Sequence, residues 1–134
     1  MIVGYTSGVF DLLHNGHENF LRECKKQCDI LYVGVDSDLR VKQQKGAFRP
    51  IQTAHIRLRN ISKHCDHAFI KWKSSQAYLE KIQPNIIFES NLKEDSKAFY
   101  PPQSRCVKIS YTEDVSTTKL IRTQLSLNTN AEIK

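Results

Sequence analysis

A chain of 134 residues, 40% hydrophobic and 25% charged, is long enough for one domain with a real core and too short for a second. The formal net charge of +6 admits nucleic acid, but the basic residues are dispersed among acids and not interleaved with aromatics, which favours small polyanions instead. No apolar run nears the roughly 18 residues needed to span a bilayer, and the opening segment is too short and polar for a signal peptide. A cytoplasmic protein with no membrane contact and four reduced cysteines is therefore expected.

The chain opens on the apolar run Met1-Ile2-Val3. It continues through Tyr5-Thr6-Ser7-Gly8-Val9-Phe10-Asp11-Leu12-Leu13-His14-Asn15-Gly16-His17 into a segment patterned as a helix. A strand-to-helix crossover suits an anion, because the first N–H groups of a helix are unpaired and the aligned peptide dipoles place partial positive charge there. Gly8 and Gly16 keep side chains out of the way. With a helix starting near Asn15, His14 and His17 lie beside one turn. Two imidazoles, each held at one nitrogen and donating from the other, suit charge developing on a phosphoryl group. A histidine taken alone is more often a surface or satisfied core residue, and Asn-Gly is a common turn; the strand, the Gly-Val-Phe-Asp run and the following helix are what point to a site.

Phe20, Leu21, Cys24 and Cys28 then recur at helical spacing, with Glu18, Arg22, Glu23, Lys25 and Lys26 between them, as on an amphipathic helix packed against a sheet. Cys24 and Cys28 are spaced to share a metal, but on the apolar stripe they read as core. Ile30-Leu31-Tyr32-Val33-Gly34-Val35 is a strand of the kind buried on both faces of a parallel sheet. Asp36-Ser37-Asp38 can cap a short helix through Gln43, and the strand–helix–strand order makes a right-handed βαβ unit. From Lys42 to Ile51 the chain is basic, contains Gly46 and Pro50, and reads as a loop. It is either a solvated connection or a set of cations able to close over the β- and γ-phosphates of a nucleotide.

Ala54, Leu58, Ile61 and Cys65 set a third helix from about Thr53 to Lys63, with Arg57 near its start. His64-Cys65-Asp66-His67 is consecutive where metal ligands are usually spaced, so a metal site is not expected there. Ala68-Phe69-Ile70 is a strand, and a helix from about Ser74 to Ile82 is stopped by Pro84. Ile86-Ile87-Phe88 is the fourth strand, with Glu89-Ser90-Asn91 at the carboxyl end where open α/β sheets bind ligands. Asn91 reads either as a group meeting a base or hydroxyl or as a plain loop residue. Residues 92–105 run over the surface, with Phe99 or Tyr100 able to line a pocket, and Cys106-Val107-Lys108-Ile109 is the last strand. Tyr111 to Lys119 leads into a final helix carrying Leu120, Ile121 and Leu125. Its Ser116, Thr117 and Thr118 read as N-caps or as hydroxyls facing phosphate. Five strands alternating with helices predict a Rossmann-like open parallel α/β sheet with helices on both faces, while the absence of a G-x-G-x-x-G run or P-loop argues against a dehydrogenase or P-loop kinase.

Gly8-Val9-Phe10-Asp11-Leu12-Leu13-His14-Asn15-Gly16-His17 resembles the G-x-F-D-x-x-H-x-G-H signature of the cytidylyltransferase-like nucleotidyltransferases. That group includes glycerol-3-phosphate cytidylyltransferase and the adenylyltransferase domain that makes ADP-heptose. Ser116-Thr117-Thr118-Lys119 resembles their second signature, and together the two span residues 2 to about 125. Lys45-Gly46-Ala47-Phe48-Arg49-Pro50, followed by Arg57, is similar to the K-G-x-x-R-P pattern of the ADP-heptose type. Asp66 matches a helix-to-strand junction of the family. Tyr111 stands where the glycerol-phosphate enzymes carry Arg, and Glu89-Ser90-Asn91 departs from the family's K-G-x-D or G-D-D run.

The resemblance implies a domain over residues 1–126 with a polar tail at 127–134, sheet order 3-2-1-4-5, a site where the first and fourth strands diverge, and a homodimer. It implies transfer of a nucleoside monophosphate from ATP or CTP to a sugar phosphate or polyol phosphate, with Mg²⁺ accompanying the triphosphate. His14 and His17 would stabilise charge on the α-phosphate. Lys45 and Arg57, with Lys42 as a further candidate, would meet the β- and γ-phosphates. Ser116, Thr117 and Thr118 would bind phosphate, Gly8, Val9 and Phe10 would offer backbone contacts, and Asp11 would orient the loop or a metal-bound water. The alternatives are a glycerol-3-phosphate cytidylyltransferase, a nicotinamide-mononucleotide or pantetheine-phosphate adenylyltransferase, and a nucleotide-binding module without catalysis.

Overall fold

The computed structural model describes residues 1–90 and 100–110. In chain order it contains β1 (Val3–Gly8), α1 (Asn15–Lys26), β2 (Ile30–Asp36), α2 (Asp38–Lys45), α3 (Ala54–Ser62), β3 (His67–Lys71), α4 (Ser75–Ile82), β4 (Ile86–Ser90) and β5 (Arg105–Ile109). The five strands form one parallel sheet in the order β3-β2-β1-β4-β5. This is the expected Rossmann-like arrangement, in which the direction of winding reverses at β1.

Strand alternation divides the core. Leu31, Val33 and Val35 of β2 and Ile86 and Phe88 of β4 pack with Phe20, Leu21 and Cys24 of α1 and Ile61 of α3. The second cluster joins Tyr5 and Ile87 to Leu79 of α4, with Tyr32, Phe69, Tyr78, Ile82 and Tyr100 packed around them. Each fully buried Phe or Leu contributes about 2 kcal/mol. Gly4 is required by close approach, since a Cβ there would lie 2.7 Å from Phe88 Cε2 and 2.9 Å from Cys28 Sγ. Cys24 is a core residue, and burial raises its thiol pKa above the ordinary value. At the α3–β3 junction, Asp66 accepts from Lys25 Nζ at 2.5 Å and from the Leu31 amide at 2.8 Å.

One boundary differs in a way that matters for the site. α2 does not stop at Gln43 but runs to Lys45, so Lys42 and Lys45 occupy its last turn and the loop begins only at Gly46. Arg, Lys and Gln are good helix formers, Ser37 caps the start by accepting from the Arg40 amide, and no breaker precedes Gly46 at φ 103°. The sequence lacks apolar periodicity here because only Val41 of this helix is buried. β4 likewise extends through Ser90, placing Glu89 and Ser90 in the strand. The expectations for Asn91, Phe99, Tyr111, Ser116, Thr117, Thr118, the final helix and the tail lie outside the described residues. Among the described residues no helix is long and apolar enough to cross a membrane.

Candidate active site

Register locates the crevice. β1 pairs with β2 over its whole length, from Val3↔Ile30 to Gly8↔Val35, but with β4 only at Gly4↔Ile86 and Tyr5↔Ile87. Beyond Tyr5 the backbones of β1 and β4 separate, with Thr6 Oγ1 bridging to the Phe88 carbonyl at 2.9 Å. The loop after β1 therefore stands over the divergence where ligands enter such sheets.

That loop is strained and tightly held. Phe10 and Leu12 adopt left-handed φ values of 53° and 52°, each disfavoured by about 1 kcal/mol or more for residues with a Cβ. Asp11 lies between them with 0% exposure, its Oδ2 accepting from the Ile51 amide at 2.7 Å and its Oδ1 from the Gln52 amide at 2.9 Å. Gln52 replies through Oε1, which accepts from the Leu12 amide at 3.1 Å. Asp11 thus orients the loop.

His14 is the N-cap of α1. Its Nδ1 accepts from the Gly16 amide at 3.0 Å, and His17 Nδ1 accepts from the His14 amide at 3.3 Å, completing a capping box built from two histidines. The rings stack with centroids 3.9 Å apart, and Phe10 meets His17 edge-on at 5.6 Å. Both Nδ1 atoms act as acceptors, so in the neutral rings the proton is assigned to Nε2. Burial, followed by the neighbouring His14, pulls the His17 pKa down to about 3, and burial also lowers that of His14. Both rings are neutral donors at pH 7.

Lys42 and Lys45 lie on the last turn of α2, both exposed. Although the residue is exposed, partial desolvation around its ammonium group, then the nearby Arg49 charge, lowers the Lys45 pKa. Arg49 stands in the sequence only as part of a pattern; here it is a second cation beside Lys45, and its buried Nε has no partner among the described residues.

Arg57 is buried within hydrogen bonds to three segments. Its side chain is 0% exposed, with Nε donating to the Gln52 carbonyl at 3.0 Å, Nη1 to the Val9 carbonyl at 2.8 Å and Nη2 to Asp38 Oδ1 at 2.7 Å. These contacts tie it to the histidine loop, to the Gln52 backbone and to the start of α2. Ala54, Arg57 and Ile61 are the buried residues of α3, so Arg57 lies on the helix's inward face.

A polar group at the carboxyl ends of β1, β2 and β3 escaped the sequence reading. Lys71, buried, donates to Ser7 Oγ at 3.4 Å and lies 3.7 Å from Asp36 Oδ1, which also accepts from Arg40 Nε at 3.3 Å. Ser75 Oγ shares hydrogen bonds with Tyr5 at 3.0 Å and with Ser7 at 3.4 Å. On β4, Glu89 accepts from the Tyr100 hydroxyl.

The family model described as cytidylyltransferase-like matches residues 5–91, which hold β1 from Tyr5 onward, every element from α1 to β4 and the whole histidine loop. The chain belongs to the cytidylyltransferase-like family. It is thus a nucleotidyltransferase-type domain. This cytidylyltransferase-like chain is 38% identical over 88 residues to the bifunctional protein HldE of Nitrobacter hamburgensis, covering 63% of this chain and 18% of that protein. It is 47% identical over 88 residues to HldE of Nitrobacter winogradskyi, with the same coverage of 63% and 18%. Against HldE of Rhodospirillum rubrum the identity is 50% over 50 residues, 37% of this chain and 10% of that one. The matches therefore span only 10% to 18% of these relatives' length. A solved lipopolysaccharide core biosynthesis protein from Thermoplasma volcanium is similar at a TM-score of 0.70 and 29% identity, covering 84% of this chain and 99% of that one. Pantothenate synthetase from Thermus thermophilus, at a TM-score of 0.57 and 9% identity, covering 89% of this chain and 63% of that one, shares the fold.

Proposed function

We propose that this protein transfers a nucleoside monophosphate from ATP or CTP to a sugar phosphate or polyol phosphate, with release of pyrophosphate, and that it most resembles a heptose 1-phosphate adenylyltransferase. The carrying observation is the stacked pair of neutral histidines at the start of α1, held through Nδ1. A phosphate oxygen of the acceptor attacks the α-phosphorus in line. The bond from that phosphorus to its bridging oxygen breaks, and pyrophosphate leaves. His14 and His17 donate from Nε2 to the α-phosphate oxygens as charge develops, and the backbone of Gly8, Val9 and Phe10 lines the same loop. Lys45, with Arg49 and Lys42 nearby, neutralises the β- and γ-phosphates. The HldE relatives and the lipopolysaccharide core neighbour support the adenylyl and heptose side of this reading.

The chemistry of the loop also supports a phosphate acceptor over an alcohol. A hydroxyl nucleophile needs a general base poised near neutral pH. His17 has a pKa pulled down to about 3, and both oxygens of Asp11 accept backbone N–H bonds. A phosphate oxygen is already negative and needs no such base. Magnesium is expected with any triphosphate, yet no group of three or more His, Cys, Asp or Glu among the described residues is arranged to hold it. We therefore assign Mg²⁺ to the nucleotide's own phosphates. A cytoplasmic homodimer belongs to the same reading.

The test is pyrophosphate release with ATP and, separately, CTP, each with Mg²⁺ and a pool of sugar 1-phosphates and polyol phosphates. Acceptor-dependent release with ATP and a sugar 1-phosphate is expected. Release with CTP and glycerol 3-phosphate alone would replace the adenylyltransferase reading by the cytidylyltransferase one. Nucleotide binding without release from any mixture would make the chain a binding module.

A further inference from the structure

Beneath the two histidines, hydrogen bonds join three segments distant in sequence. Arg57 ties the Val9 carbonyl, at the root of the histidine loop, to Asp38 at the start of α2 and to the Gln52 carbonyl. Asp11 ties the same loop to the Ile51 and Gln52 amides, and Gln52 closes the circuit on the Leu12 amide. The segment bearing Lys42, Lys45 and Arg49 is therefore anchored to the histidine loop at both of its ends, by Asp38 and by Gln52. Between the anchors, Gly46 at φ 103° is where its backbone turns. Phe10 and Leu12, both left-handed, flank Asp11, a backbone that persists because the surrounding contacts hold it.

We propose that Arg57, Gln52 and Asp11 form a positioning brace that sets the register between the histidine pair and the basic stretch, with Arg57 acting through Val9, Gln52 and Asp38 and not by touching phosphate. The proposal rests on the nucleotidyl-transfer reading. The brace matters to rate because the histidines and the cations must meet neighbouring phosphates of one ligand at once, and a misplacement of about 1 Å is enough for a loss on the order of 100-fold. Gln52 is the member that nothing in the sequence singles out.

The experiment uses Gln52→Ala, Arg57→Lys and the double variant in the full chain, reading kcat, KM for the triphosphate, thermal midpoint and affinity for inorganic pyrophosphate. Arg57→Lys keeps a cation for Asp38 while giving up the fork that also holds the Val9 and Gln52 carbonyls. A brace predicts kcat losses of about 30- to 100-fold for each single variant and no more than about 200-fold for the double, because both act through one linkage. Pyrophosphate affinity changes little, and the midpoint falls by a few degrees as expected for buried hydrogen bonds lost, too little to account for the fall in kcat at the assay temperature. Multiplying losses, or a selective fall in pyrophosphate affinity in Arg57→Lys, would make Arg57 a phosphate ligand and overturn the proposal. Losses that simply track a falling midpoint would reduce the brace to a structural role, which also overturns it. Should the wild-type chain bind ATP without turnover, the transfer reading fails by itself. The His14 and His17 ring ¹⁵N shifts on adding ATP then decide: a response in wild type lost in Gln52→Ala sustains the brace, and an unchanged response overturns it. No ATP response in wild type removes both readings.

Discussion

Replacing His17 separates its two tasks. His17→Ala removes the acceptor for the His14 amide, the stack on His14 and the edge contact with Phe10. A long capping bond contributes about 0.5–1 kcal/mol and the ring contacts about 1 kcal/mol, so destabilisation of about 2 kcal/mol is expected. For a chain of this size that lowers the thermal midpoint by roughly 8 °C. Loss of one preorganised donor to the α-phosphate adds about 2–4 kcal/mol to the barrier, a fall in kcat of about 30- to 1,000-fold. His17→Gln discriminates, because glutamine at the third helical position is the usual capping-box acceptor. It should recover most of the midpoint and at most part of the rate. The assays are saturating pyrophosphate release and thermal unfolding on the same preparations. A folded His17→Ala protein with kcat within about threefold of wild type would refute the catalytic assignment. Full recovery of rate in His17→Gln, in step with the midpoint, would make the histidine a helix cap alone.

The buried neutral state of His17 makes stability fall with acid. An unfolded histidine protonates near pH 6.5 and the folded one only near about 3, so the unfolded chain takes up the proton first. The contribution is complete above about pH 6.5 and is lost progressively toward about pH 3, amounting to about 2–3 kcal/mol by pH 4.5; urea titrations across this window should show a shallower pH dependence in His17→Gln. Lys45→Met should raise KM for the triphosphate about tenfold with an unchanged thermal midpoint, since Lys45 is exposed at the end of α2; an unaltered KM would remove Lys45 from the phosphate site. Gly4→Ala drives a methyl to 2.7 Å from Phe88 Cε2 and should destabilise by about 1–3 kcal/mol in denaturant unfolding.

What the sequence revealed follows from which signals are local. Strand runs, the apolar stripe of α1 and the histidines beside its first turn are set by neighbours a few residues away, and the structure reproduces them with boundary shifts of a residue or two, except that β1 runs from Val3 on through Gly8 where the apolar run covers only Met1-Ile2-Val3. α2 was legible only to Gln43 because a helix exposed on nearly all sides has no apolar period to read. Arg57 shows the stronger limit. Its position on the face shared with Ala54 and Ile61 was a readable sign of burial, but which groups would receive its guanidinium depends on Val9, Asp38 and Gln52, brought together only by the fold. Lys71 is similar: nothing in Lys71-Trp72-Lys73 distinguishes the two lysines until register sets Lys71 opposite Asp36 and leaves Lys73 exposed.

The division of charge around the loop carries the chemical argument further. Three aspartates of the surrounding segments are engaged in structure: Asp11 on two amides, Asp38 on Arg57, Asp36 between Lys71 and Arg40. Lys42 and Lys45 stay exposed on the last turn of α2, and the histidines are neutral donors. A site so built attracts polyanions and stabilises added negative charge, yet the groups of its loop are poorly suited to removing a proton from an incoming alcohol. That asymmetry is what favours the phosphate acceptor proposed above. With a phosphate monoester as nucleophile the missing base is irrelevant, and rate depends on holding two anionic ligands in line against their mutual repulsion. Cations fixed to the same backbone as the histidines serve that need, which is why the hydrogen bonds beneath the loop bear on catalysis as well as on stability.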